Sequence, residues 1–232
     1  MSVGARVLKW QLLRAYARPP ITPGIVKIYA DPGTGLTTVD GYAQRTGVAE
    51  TWNVIRTSPG LSAFASTQLN DFGVGSALSQ DMWQGIARLI TTHSLAVVPL
   101  GAEIIYAKYY FKGSYKVDSL GGQPQIAVYQ SYPLADNNIV AADYQRLYNT
   151  PLSNLINYAD FVIGGFNIFT LNDAGLALLL PGQICRLGLR EAKYDAPGLP
   201  PTWRYWSAMY FQGYSVEASL LADRPYLEIS YQ

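Results

Sequence analysis

The chain has 232 residues, of which 49% are hydrophobic and only 14% charged, and it carries 18 tyrosines. A chain of this length can bury a sizeable core without covalent staples, and its single cysteine, Cys185, excludes an internal disulfide. No run reaches the roughly 20 apolar residues of a membrane span, and one histidine with one cysteine falls short of a zinc ligand set.

Charge is unevenly distributed. Residues 1–30 hold Arg6, Lys9, Arg14, Arg18 and Lys27 with no acidic residue before Asp31. The remainder carries 12 basic against 16 acidic residues, so a basic arm precedes a mildly acidic body, a pattern of partner contact. Arg14 and Arg18 interrupt any apolar signal-peptide core, and no small-x-small cleavage site follows. An Arg-rich, acid-free arm also suits a mitochondrial transit peptide, but the expectation here is an arm retained as working structure. Val3, Val7, Trp10, Leu13 and Ala17 recur at helical spacing, and Pro19-Pro20 ends the pattern. Such a short stripe is stable only when docked, and an extended arm lying on a neighbouring subunit is the alternative.

After Pro23 the texture becomes β. The runs Ile25–Ala30, Thr37–Tyr42, Thr51–Arg56, Trp83–Ile90 and Ile104–Phe111 read as strands. Gln125–Gln130, Gly165–Leu171, Ile184–Arg190, Met209–Gly213 and Tyr226–Tyr231 continue the series, about ten strands in all. Ile104–Phe111 is apolar on both faces, which predicts a central, inner strand. Leu61–Gln80, rich in Ser, Gly and Asn, reads as a long loop. Helical turns are expected in Val140–Tyr148 and Leu152–Tyr158, and in a Leu-rich segment capped by Asn172 and stopped by Pro181-Gly182. Many strands without helix–strand alternation predict an all-β antiparallel jelly-roll sandwich over residues 31–232, with residues 1–30 as the arm.

The chemistry-bearing residues are sparse. His93 reads as a loop histidine, and its neighbour Ser94 makes no triad, because successive strand residues face opposite ways. Cys185, between Ile184 and Leu187, reads as a small buried hydrophobe. Gly33-Thr34-Gly35 lacks the rest of a nucleotide fingerprint. Asp71, Asp81, Glu103, Asp118, Glu191 and Asp195 cannot be paired across a cleft from sequence, and only Glu103 is expected inside a strong strand. Loop oxygens at Asp136-Asn137-Asn138 or Asp31 offer a structural calcium site; otherwise no cofactor is expected. The aromatic cluster Trp203-Arg204-Tyr205-Trp206 is the best glycan-binding candidate, with edge packing as the other reading of its rings.

The order of motifs carries a resemblance. Val39-Asp40-Gly41-Tyr42-Ala43 precedes Glu50-Thr51-Trp52, and Trp83-Gln84-Gly85-Ile86 leads to Val98-Pro99-Leu100-Gly101-Ala102-Glu103-Ile104. Ala141-Ala142-Asp143-Tyr144, Leu187-Gly188-Leu189-Arg190 and Pro200-Pro201-Thr202-Trp203 follow, and Arg224-Pro225-Tyr226-Leu227-Glu228-Ile229-Ser230-Tyr231 closes the chain. Over residues 38–231 this resembles the jelly-roll modules of bacteriophage structural proteins and bacterial surface proteins, the DNRLRE-type domains. Ile86 and Leu89 stand where those modules usually carry aromatics, Arg88 lies within the strand, and Leu61–Gln80 is an extra stretch.

The resemblance implies a non-enzymatic virion structural protein: a capsid decoration, head-fibre or tail component. Arg6, Lys9, Trp10, Leu13, Arg14 and Arg18 would dock it on other virion proteins or on copies of itself. The alternative is a carbohydrate-binding module or adhesin, extracellular or at a cell surface, using Trp203, Tyr205 and Trp206 on a cell-surface glycan. Neither nucleic-acid binding nor membrane insertion is expected, since a formal net charge of +1 gives little drive toward phosphate.

Overall fold

The computed structural model describes residues 21–76 and 78–232. The arm candidates Arg6, Lys9, Trp10, Leu13, Arg14 and Arg18 therefore lie outside the described residues. Those described form an all-β sandwich of the jelly-roll kind, with thirteen strands paired antiparallel throughout. Among them no helix is long and apolar enough to cross a membrane.

One sheet has the order β1 (Gly24–Ile28), β13 (Tyr226–Tyr231), β6 (Ile104–Asp118), β10 (Phe166–Thr170). The sheet thus begins at Gly24, ahead of residue 31. β6 is long enough to serve both sheets: its first part pairs with β13 and β10, its last part with β12 (Ala208–Tyr214). At the corner Gln212 and Gly213 face Tyr115 and Gly113, leaving Ser114 as a bulged residue that bends the strand. A Cβ on Gly213 would lie 2.3 Å from the Phe111 ring, so the corner requires glycine.

The second sheet continues from β12 through β4 (Leu69–Ser76), β5 (Trp83–Ser94), β11 (Ile184–Glu191) and β7 (Gln125–Ser131) to β8 (Leu147–Pro151). β2 (Asp40–Glu50) pairs with β5 and carries β3 (Ser62–Phe64), while β9 (Ile156–Asn157) pairs with β7. Because β2 follows β5 from Gly85 to Thr91, β4 and β11 must divide the opposite edge of β5. The sheet therefore branches at β5.

Strand alternation assigns this sheet two buried faces. Leu89, Ile126, Val128, Leu187 and Leu189 point toward Tyr109, Phe111, Phe169, Leu227 and Ile229 of the first sheet, forming the main core. Ile86, Ile90, Tyr129 and Met209 point the other way, into a second core closed by Trp52, Ile55 and Tyr144. Cys185 is buried in the main core, as its apolar setting implied.

Several local expectations are corrected. Thr51–Arg56 is not a strand but mostly helix α1 (Trp52–Thr57), which turns Trp52 and Ile55, three apart, into the second core. Leu61–Gln80 is not a loop: it contains β3 and β4, with Asn70, Phe72 and Val74 buried. Leu152–Tyr158 is extended rather than helical and includes β9. Val140–Tyr148 holds a 3-10 turn at Ala141–Gln145 and then enters β8. The Leu-rich helix α2 (Asp173–Leu176) is shorter than expected, although the Asn172 side chain does accept from Gly175 N at 3.0 Å. β6 is central between β13 and β10, but Tyr106, Lys108 and Tyr110 on its outer face are only half-buried.

Candidate functional site

The main candidate site lies where a sheet face escapes both cores. On β5, Gly85 and Ala87 share the side of Leu89 but lie beyond the reach of the first sheet. Their partners on β4 are glycines: Gly73 faces Ala87, and Gly75 faces both Gly85 and, on β12, Ala208. A groove of about 360 Å³ results, with its floor on β5, β4 and β12.

Its walls are polar. Gln44 and Thr46 stand on β2, and Asp71, Tyr210 and Gln212 on the opposite side. A relay fixes that opposite wall: Ser114 Oγ donates to Gln212 Oε1 at 3.0 Å, and Gln212 Nε2 donates to Asp71 Oδ1 at 2.9 Å. Partial burial pushes the Asp71 carboxyl above its usual value, and the Gln212 amide opposes the shift. Tyr115 lies 5.7 Å from Tyr210, ring centre to ring centre, and extends the wall as an aromatic shelf. Burial, then the Asp71 charge, pushes the Tyr42 hydroxyl to about 12, so Tyr42 stays a neutral phenol at neutral pH.

The expected aromatic platform divides. Trp203 is half-buried against the second core, and its Nε1 donates to Met82 O at 3.0 Å. Tyr205 and Trp206 are 64% and 59% exposed on a turn, with Trp206 at φ +47°. That turn leads straight into β12 at Ala208, but neither ring lines the groove. The floor escaped sequence reasoning because its signal was an absence of side chains: Gly73 and Gly75 made β4 read as loop, although Gly85 fell inside the expected strand Trp83–Ile90.

Most of the other chemistry-bearing residues are buried or paired within the fold. His93 is not in a loop: β5 continues to Ser94, and the ring is fully buried, 5.8 Å from Tyr109. Burial lowers its pKa to about 4, so it is neutral. Burial likewise pushes the Cys185 thiol up to about 12. Glu103 precedes β6 and is exposed, rather than lying inside the strand. Buried Asp40 accepts from Asn70 Nδ2 at 3.0 Å and from Val216 N. Asp136 pairs with Arg186, and Asp31 Oδ2 accepts from Thr37 N and from Thr38 N and Oγ1. Among the described residues, no group of three or more His, Cys, Asp or Glu could hold a metal ion.

Behind the groove floor, on the opposite face of the same sheet, sits a buried charged cluster. Arg88 grips Asp195 through two bonds of 2.8 and 2.7 Å, and Arg190 grips it through two of 2.6 and 3.0 Å. Arg56 Nε donates to Asp195 O at 2.9 Å. Burial alone would raise the Asp195 carboxyl, but Arg88 and Arg190 outweigh it and hold the group below the usual carboxylate range. Glu191 accepts from Lys193 N, Tyr194 N and Asp195 N, fixing the turn that presents Asp195.

A scan against known protein-family models gives no match, and neither does a search of the curated proteins.

Proposed function

We propose that this chain is a non-enzymatic binding module that takes a saccharide in the glycine-floored groove, carried on a phage particle as a fibre, decoration or tail component. The groove carries the binding half of this reading. Its floor lets a ligand approach the backbone closely, while Asp71, Gln44 and Gln212 offer the convergent donors and acceptors that hydroxyl-rich ligands need. Tyr210 and Tyr115 supply apolar ring faces beside them. The Ser114–Gln212–Asp71 relay holds the polar wall in place before binding, which reduces the ordering cost of association.

Placement on a virion rests on the resemblance to phage modules and on the acid-free arm. In this reading the arm anchors the protein and the groove faces the host surface. A Cβ at Gly75 meets nothing within 4 Å, so Gly75→Leu fills the groove without crowding the fold. On a glycan array, wild type should bind a defined set of saccharides, and Gly75→Leu and Tyr210→Ala should lose them. Binding that ignores both substitutions but is lost with Trp206→Ala would move the site to the exposed turn. Deleting residues 1–20, which spares Ile21 on the main core, should leave the sandwich folded and abolish incorporation into particles; retained incorporation would sink the anchoring role.

A further inference from the structure

The charged cluster borders a cleft of about 400 Å³ that the groove does not use. Arg56, Arg88 and Arg190 line it together with Tyr132, Tyr148 and Asn149. Three guanidiniums share one directly paired carboxylate, Asp195, among the described residues. Glu191 spends its oxygens on backbone N–H groups. Residues 1–20 contain no Asp or Glu, so their side chains cannot supply a further carboxylate.

The three arginines are not equivalent. Arg190 is saturated by Asp195, Asn149 Oδ1 and Tyr148 O, and Arg88 by Asp195, Tyr144 O and Arg56 O. Arg56 has only its Nε engaged: its Nη1 and Nη2 have no hydrogen-bond partner among the described residues, although its side chain is only 14% exposed. A largely shielded guanidinium with its fork free, beside two further guanidiniums, is matched by a planar anion accepting two parallel bonds. The Asn149 amide, whose Oδ1 faces Arg190, retains its NH2 as a further donor. Tyr132 and Tyr148 lie 5.1 Å apart, ring centre to ring centre, and flank the mouth with apolar faces.

We propose that this cleft is a second binding site, specific for a carboxylate borne on a sugar ring, with Arg56 clamping the carboxylate and Tyr132 and Tyr148 flanking the ring. It lies on the opposite face of the sheet from the groove and does not depend on the groove being a saccharide site.

The test is titration calorimetry at low salt with methyl glucuronide, methyl glucoside and inorganic phosphate as probes. In the Gly75→Leu background, whose filled groove removes any saccharide bound there, methyl glucuronide should bind and methyl glucoside should not. Arg56→Gln should weaken glucuronide binding roughly tenfold or more, as expected for a lost charge-assisted pair. Arg56→Lys, which keeps the charge but not the fork, should recover only part of it. Tyr148→Ala, on the exposed rim, removes a ring without touching Asp195 and should weaken binding severalfold. In that background, equal binding of glucoside and glucuronide, indifference to both Arg56→Gln and Tyr148→Ala, or tighter binding of phosphate than of glucuronide would each overturn the assignment.

Discussion

The two faces of the β2–β5–β4–β12 region use one backbone for opposite purposes. Along β5, Gly85 and Ala87 leave one face open as a groove floor, while Ile86 and Arg88 between them fill the other face with apolar core and buried charge. An open floor of glycines contributes little packing and weakens a strand. The opposite face has to compensate, and it does so with Trp52, Trp83, Ile86 and Met209 together with the Arg88–Asp195–Arg190 clamp. The difference teaches that the binding surface and the stabilising surface are separated by side-chain direction, not by distance along the chain. Substitutions one residue apart should therefore report on different properties.

The largest effect should come from the packed face. Asp195→Ala leaves Arg88 and Arg190 buried without their carboxylate, and unfolding in urea should show a loss of about 3–5 kcal/mol. Folding stability close to wild type would contradict the clamp's role.

On the open face, two glycines separate backbone demand from vacant space. Gly73 stands at φ +147° with Met209 O 2.4 Å from where a Cβ would lie, so Gly73→Ala should cost at least about 2 kcal/mol. Gly75→Ala should change stability by less than about 0.5 kcal/mol, since that Cβ enters open space. Equal costs at the two positions would break the distinction between floor and frame.

A third comparison uses pH. His93, buried in the main-core face, has a folded pKa lowered to about 4 from 6.5. Between those values the unfolded chain binds a proton that the folded chain does not, so stability falls as pH falls. The loss between pH 7 and pH 5 should be about 2 kcal/mol. Asp40, raised by burial and by neighbouring Glu217, acts in the opposite direction at low pH, but it is common to both proteins compared. The profile of His93→Asn should therefore be flatter than wild type by that amount, and parallel profiles would show that His93 is not buried neutral.

Much of the fold was legible because most strands are dense in Ile, Val, Tyr and Phe. β6, β7, β11, β12 and β13 all lie where that composition predicted. β4 was not legible, since Gly73 and Gly75 erase the alternation that marks a strand, and these same residues make the groove. α1 was missed because six residues of Trp-Asn-Val-Ile-Arg-Thr have strand-like composition and too little length for helical period to show. The Arg88–Asp195 clamp joins residues 107 apart and depends wholly on topology. Tyr205 and Trp206 were candidates from sequence, with edge packing as the other reading of their rings, and they prove exposed; the groove was not legible, because its walls come from β2, β4 and β12.

The central claim is that the open, glycine-floored face is where ligand binds. It is tested most directly by titrating a bound saccharide into isotope-labelled protein and following backbone amide resonances. The account predicts that Gly73, Gly75, Gly85 and Tyr210 shift first and together, and that Gly75→Leu abolishes those shifts. Saturable shifts confined to other surfaces, with these four resonances unmoved, would contradict it.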